Sequence, residues 1–159
     1  MTTPSTWLAG VALPRPAPGW TDRSMLAFAG PQDGDALPPN ITMTRDERQA
    51  PTDPAGETFA AYVQRQGHVL EANLPGFQAV HPTPLVAGSD DVRDVMFKWR
   101  SGSISLTQWV VWLAIGDGSV LTFTATAESS RFDRHQPTFD AALRRVSVDP
   151  ARLPVADAN

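Results

Sequence analysis

The stretch SISLTQWVVWLAI, from Ser103 to Ile115, carries large apolar residues at adjacent positions rather than at alternate ones. Successive side chains of a β-strand point to opposite faces of a sheet, so a strand of this kind must be covered on both sides. The pattern predicts a central strand with one polar exception in its middle, Gln108. A buried amide without hydrogen-bond partners costs about 1–3 kcal/mol. Either the fold satisfies Gln108 internally, or a partner molecule contacts it.

The segments on either side of this strand alternate between apolar and polar residues. DVRDVMFKWR precedes it across the turn SGS, and VLTFTATA follows it across GDGS, a strong hairpin signal. The three segments therefore predict an antiparallel meander. Simple two-residue hairpins would place Gln108 on the face of Val95, Phe97, Leu121 and Phe123, and a bulge in either hairpin would reverse that placement.

Further short extended segments surround the meander. Composition and alternation predict them over residues 6–13, 24–30, 40–46 and 77–88. The last of these is expected to be irregular or to lie at a sheet edge, because Pro82 and Pro84 cannot donate to a central ladder.

Two segments have the apolar spacing of amphipathic helices, over residues 57–74 and about 130–146. The stripe of the first helix is formed by Phe59, Tyr62, Val63, Gln66, Val69, Leu70 and Leu74. Gln66 is thus a second polar residue on an apolar face. The sequence predicts an α+β fold, a curved antiparallel sheet with two main helices. We expect a single domain over residues 1–149 and a loose tail over 150–159.

The composition lacks the residue patterns that carry most enzyme chemistry. The chain has no cysteines, and His68, His81 and His135 have no metal-ligand spacing. It contains no P-loop, dinucleotide fingerprint or nucleophile elbow. The net charge of -4 disfavours nucleic acid as a partner, and neither a signal-peptide pattern nor a membrane-length apolar run is present. We therefore expect a cytoplasmic protein that is not an enzyme and that uses no metal or cofactor.

Several segments in a fixed order resemble one family. They are GWTDRSMLAF, ITMTRD, TFAAYVQRQ with LPGF, VMFKWRSG, QWVVWL, and VLTFTATA with RFD, over about residues 5–146. This set resembles the DcrB-related family and, within it, the Eag-type chaperones of bacterial type VI secretion. The resemblance implies a fold similar to the PsbP and Mog1 proteins. It also implies a cytoplasmic homodimer that shields the apolar N-terminal helices of a secreted effector until the effector is loaded on the spike protein.

The resemblance also implies where such client helices would bind. Gln66 and Gln108 align with family glutamines that face the client, and an amide suits this role because it both donates and accepts. Met25, Ala27 and Thr42 align with strands that line the family's groove. Ala27 is smaller, and Thr42 more polar, than the residues that the family has there.

Two alternatives remain open at this point. Gln66 and Gln108 could be satisfied inside one protomer rather than by a client. The chain could also be a non-catalytic interaction protein of the same fold that has no secretion role. In neither case do we expect binding to nucleic acid or direct insertion into a membrane.

Overall fold

The computed structural model describes residues 5–8, 11–13, 25–48, 56–81, 89–116 and 118–147. Within these ranges the strands are β1 (Ser5–Leu8), β2 (Val11–Leu13), β3 (Met25–Ala29), β4 (Asn40–Glu47), β5 (Gln78–His81), β6 (Val92–Ser101), β7 (Ile104–Ala114) and β8 (Ser119–Glu128). The helices are α1 (Phe59–Asn73) and α2 (Phe132–Arg144). The predicted tail and most of the proline-containing segment after β5 lie outside the described residues.

Six strands form one curved, open antiparallel sheet in the order β3-β4-β8-β7-β6-β5. The predicted α+β class, with a curved antiparallel sheet and two helices, is confirmed, and the meander β6-β7-β8 lies inside the sheet. β5 is an edge strand, as Pro82 and Pro84 after it in the sequence indicated. The prediction of one strand over residues 6–13 is wrong, because Leu8 pairs with Val11 and the segment forms two antiparallel strands.

The two helices cover opposite faces of the sheet. On the α2 face, the Trp109 ring meets Phe123 edge-on with centroids 6.1 Å apart, and its Nε1 donates to Oδ2 of Asp94 at 2.9 Å. On the α1 face, Tyr62 and Phe97 are the largest fully buried side chains of a second cluster, which also contains Trp112. β7 contributes buried residues to both clusters. The predicted burial of this strand on both faces is therefore confirmed.

The β7–β8 hairpin decides which face each residue of β7 occupies. The β6–β7 turn is the simple one, and Gln108 lies opposite Phe97 as expected. Loop 116–118 is one residue longer than a two-residue hairpin, so that Gln108 lies opposite Thr126. Of the two placements that the sequence left open, the structure therefore has the one in which Gln108 does not share the face of Leu121. Gln108 instead shares the α1 face with the threonines of β8.

α1 begins where the side chain of Thr58 accepts a backbone hydrogen bond from its first turn, and it ends shortly before Gly76, whose φ is +66°. Its contact with the sheet is narrower than the sequence predicted. Tyr62 is buried, and Leu70 packs against the same cluster, but Val69 is 47% exposed. Val69 is rotated by about 100° from Leu70, so it lies at the margin of the apolar stripe and stays partly exposed.

The β3–β4 loop is fastened to the start of α2. The buried carboxylate of Asp35 forms an ion pair with Arg131, with a distance of 2.7 Å between Oδ1 and Nη1. The carboxylate of Glu128 accepts hydrogen bonds from the backbone N–H groups of Ala36 and Leu37. These contacts hold the sheet edge that contains β3 against the helix that covers the opposite face.

We expect the two valines Val111 and Val69 to respond very differently to truncation. Val111 is fully buried in β7, so Val111→Ala should lower the free energy of unfolding by about 2 kcal/mol or more, from lost burial and a residual cavity. Val69→Ala should change it by less than about 0.5 kcal/mol, because Val69 is half exposed and alanine favours helix. Urea unfolding of both variants measures the difference, and equal losses would contradict the placement of Val69.

Candidate functional site

Strands β3, β4 and β8 place small and hydroxyl-bearing side chains side by side on the α1 face. Residues paired directly across antiparallel strands point to the same side of the sheet. One row runs from Ala27 through Thr42 to Thr124, and the next contains Met25, Thr44 and Thr122. We call this surface the threonine floor, and its members are Met25, Ala27, Thr42, Thr44, Thr122 and Thr124.

α1 borders the threonine floor and leaves a cavity of about 380 Å³ beneath it. Gln66 and Leu70 line the cavity from the helix, and Gln108 and Trp112 line it from β7. The hydroxyl part of the lining comes from Thr44, Thr122 and Thr124. The cavity therefore opens onto the floor, and the two form one continuous groove.

The structure brings the five residues that the resemblance singled out to this one face. Met25, Ala27 and Thr42 lie in the threonine floor, and Gln66 and Gln108 lie in the cavity beside it. They come from β3, β4, α1 and β7, which are far apart in the chain. The β3 side of the groove is open, since Met25 is 56% exposed and Ala27 is exposed as well.

The amides of Gln66 and Gln108 are only partly satisfied. Nε2 of Gln108 donates to Oγ1 of Thr126 at 2.9 Å. Among the described residues, Oε1 of Gln108 and the whole amide of Gln66 have no hydrogen-bond partner. Both side chains are half-buried, so that water or a bound molecule can reach them. The fold thus satisfies one half of Gln108 and leaves the other half to the groove.

Tyr62, in the first turn of α1, anchors the N-terminal end of this helix to β4. The sequence did not indicate this role. Its hydroxyl donates to Oδ2 of Asp46 at 3.2 Å, and the guanidinium of Arg65 lies 5.1 Å from its ring centroid. Arg65 is held there by Glu57, with 2.8 Å between Nε and Oε1. Burial, reinforced by the Asp46 carboxylate, raises the pKa of Tyr62 to about 12.

The sequence indicated the threonines of the groove less clearly than it indicated Gln66 and Gln108. The alternation in VLTFTATA and NITMTRD placed threonines together on one face of each strand, but it did not indicate that those faces adjoin. Only the register between β4 and β8 joins Thr42 to Thr124 and Thr44 to Thr122. The site therefore consists of hydroxyls, amides and apolar side chains, which bind by hydrogen bonds and packing.

No three His, Asp or Glu side chains in the described ranges are grouped so that they could hold a metal ion. None of the helices that the structure describes combines the length and the apolar character that a bilayer crossing requires.

The fold and the groove define an α+β protein with a hydroxyl-lined sheet face bordered by one helix. The family model for DcrB matches residues 11–145, and the chain belongs to the DcrB family. No curated protein sequence matches the chain.

Two solved bacterial structures resemble this chain to different degrees. A Pseudomonas aeruginosa protein of unknown function, PA94, suggested to be a regulator, is 25% identical with a TM-score of 0.66, over 88% of this chain and 91% of that chain. LpqN of Mycobacterium tuberculosis, involved in cell envelope biogenesis, is 18% identical with a TM-score of 0.44, over 77% of this chain and 81% of that chain. The likeness to PA94 therefore covers most of this chain.

Tyr62 is the only tyrosine in the chain, so tyrosinate absorbance reports its ionisation alone. We expect a midpoint near pH 12 in the folded protein, above the ordinary value of about 10. The pKa of Tyr62 is higher in the folded chain than in the unfolded chain, so folding favours the protonated hydroxyl. The contribution of this hydroxyl to folding stability is therefore complete below about pH 10 and is lost as the pH rises toward 12. The loss is on the order of 3 kcal/mol for two pKa units.

The control for this titration is Tyr62→Phe, which removes both the absorbance and the alkaline loss of stability while keeping the ring. A midpoint near 10 in the folded wild-type protein would contradict the burial of the Tyr62 hydroxyl beside Asp46.

Proposed function

We propose that this protein is a chaperone that binds and shields the N-terminal transmembrane helices of a type VI secretion effector before export. The observation that carries the proposal is the convergence of Met25, Ala27, Thr42, Gln66 and Gln108 on one open sheet face. The family resemblance implies that these residues contact the client. Membership of the DcrB family supports the proposal at the level of the family.

The dimensions of the threonine floor suit a single helix. β4 has 8 residues and is about 26 Å long. A transmembrane helix of about 20 residues is about 30 Å long. The distance from β3 to β8 is about 10 Å, since neighbouring strands are about 4.8 Å apart, and a helix with its side chains is about 10–12 Å wide. One helix lying along β4 would therefore occupy the floor of one protomer.

The chemistry of the floor resembles the helix contacts found in membranes. Helices pack closely in lipid where small residues face each other, and Thr and Gln side chains form hydrogen bonds across the contact. Ala27, Thr42 and Thr124 provide small side chains in one row, and the free amide atoms of Gln66 and Gln108 provide hydrogen bonds at its border. A transmembrane helix would thus exchange its membrane contacts for similar ones.

The cavity beneath α1 is too small to enclose a helix. A cylinder 30 Å long and 10 Å wide has a volume of about 2,400 Å³, against about 380 Å³ for the cavity. The helix would therefore lie on the open floor, and individual side chains would enter the cavity and reach Gln66 and Gln108.

The proposed role includes several expectations that follow from the resemblance. The protein would act in the cytoplasm as a homodimer, without catalysis, metal or cofactor, and its fold would be of the PsbP and Mog1 type. Its partners would be the effector helices and, through them, the spike protein. A non-catalytic interaction protein without a secretion role is the competing function, and a neighbouring gene for an effector with a PAAR domain and apolar N-terminal helices would favour the chaperone.

The direct test is co-expression with the N-terminal apolar segment of an effector encoded beside this gene. We expect the segment to remain soluble and to co-purify with the wild-type chain. Gln66→Ala and Gln108→Ala should each weaken the complex about tenfold, because the loss of a hydrogen bond to a desolvated polar group costs about 1–3 kcal/mol. Titration of the purified complex measures this change.

The matched control is Gln64→Ala, the same change on the exposed outer side of α1, which should leave binding unchanged. Gln108→Ala should cost only about 1 kcal/mol of folding stability, from its bond to Thr126. A clear fall in melting temperature with intact client binding would refute the assignment of Gln108 to the groove.

A further inference from the structure

The α2 face of the sheet, opposite the groove, has an open corner at the end of β6. Lys98 and Arg100 follow Met96 at alternate positions of this strand, so they lie on the same face as that buried residue. Both are exposed, and so is Gln78, which lies opposite Lys98 on the edge strand β5. The exposure of all three side chains shows that α2 leaves this corner uncovered.

The two cations of this corner are not neutralised by any described residue. Other cations of the chain are, since Arg131 and Arg144 pair with carboxylates at 2.7 and 2.8 Å. The side chains of Lys98 and Arg100 form no hydrogen bond or ion pair with the part of the chain that the structure describes. On the same face of β6 the nearest carboxylate is Asp94, about 13 Å from Lys98 along the strand. In a chain of net charge -4, the corner is thus locally positive.

Three hydroxyl groups beside these cations add a hydrogen-bond donor. Ser105 lies opposite Arg100, and Thr107 lies opposite Lys98. The hydroxyl of Thr107 donates to Oγ of Ser129 at 3.0 Å, and a second bond of 2.9 Å joins the hydroxyls of Ser129 and Ser105. Two bonds use two of the three hydroxyl protons, so one proton, on Ser105 or Ser129, has no acceptor within the cluster. The positive charges and this proton together suit an anion that accepts hydrogen bonds.

The spacing of the two cations indicates the shape of an anionic partner. Residues two apart in a strand are about 7 Å apart and point to the same side. In an extended partner chain, carboxylates at alternate positions have the same spacing and the same common side. An arginine can bind a carboxylate through two parallel hydrogen bonds, and a lysine binds it as a point charge. An extended segment along β6 would therefore place one carboxylate at Lys98 and one at Arg100.

We propose that this corner binds an acidic, extended segment of a partner protein, with Asp or Glu at two alternate positions. Complementary charge selects such a partner over a basic or neutral one. Exposed ion pairs contribute little each, so a short segment binds reversibly, with a dissociation constant on the order of millimolar. Because the corner and the threonine floor lie on opposite faces, the proposal does not depend on the proposed function, and both faces can be occupied together.

Lys98 is the only lysine of the chain, which gives the test a single side-chain probe. Reductive methylation with isotope-labelled formaldehyde labels Lys98 and the N-terminal amine, and it keeps the positive charge. The ligand is a blocked peptide with glutamates at two alternate positions in an alanine background. At about 0.01 M ionic strength, where screening is weak, we expect it to shift the NMR signal of Lys98 saturably.

The controls separate the corner from general charge attraction. Arg100→Gln should weaken peptide binding about threefold, through the loss of one ion pair. Arg145→Gln removes the same charge from another exposed arginine without a described side-chain partner, at the far end of α2, and should leave the affinity unchanged. A peptide of the same composition with adjacent glutamates points its carboxylates to opposite sides when extended, and it should bind about threefold more weakly.

The absence of a saturable shift, equal binding of the two peptides, or equal losses in Arg100→Gln and Arg145→Gln would overturn the proposed site. Inorganic phosphate is the competing ligand. Tighter binding of phosphate than of the peptide would also overturn the proposal, because it would indicate a site for a free oxyanion. Since none of these measurements involves client helices, a failure of the chaperone function would leave their outcomes unchanged.

Discussion

The burial of β7 on both faces is the constraint on which the rest of the structure depends. Trp109 and Val111 require cover on one side, and Val110 and Trp112 require it on the other. Each face therefore has its own helix. A helix about 10–12 Å wide cannot cover six strands that span about 24 Å. A part of the α1 face remains open for this reason, and the groove lies there.

Beyond the area that the helices cover, the two faces of the sheet differ in side-chain composition. On the α2 face, β4 presents Ile41 and Met43, which pack against the central cluster. On the α1 face the same strand presents Thr42 and Thr44. A threonine methyl group still offers apolar contact, while its hydroxyl hydrogen-bonds to water when nothing is bound. An open face of this composition can bind an apolar partner without exposing a large apolar patch beforehand.

The position of β3, and with it the outer border of the groove, is fixed from the opposite side of the sheet. Asp35 and Glu128 fasten the β3–β4 loop to the beginning of α2. Arg131 also donates to the backbone carbonyl of Asp33 at 2.6 Å. Since the loop connects the two strands that hold Ala27 and Thr42, these contacts stabilise the register on which the threonine floor depends.

The sequence by itself determined the central strand, the α+β class, both helices and the exceptional position of Gln108, because each follows from local periodicity. It did not determine the face on which Gln108 lies. Side chains alternate with a period of two, so the one additional residue in loop 116–118, where Gly118 adopts a φ of +87°, reverses every position relative to β8. Likewise, only pairing between distant strands joined Thr42 to Thr124, and only the packing of α1 left Val69 at the margin of the apolar stripe. These outcomes depend on contacts between segments far apart in the chain, which no local pattern records.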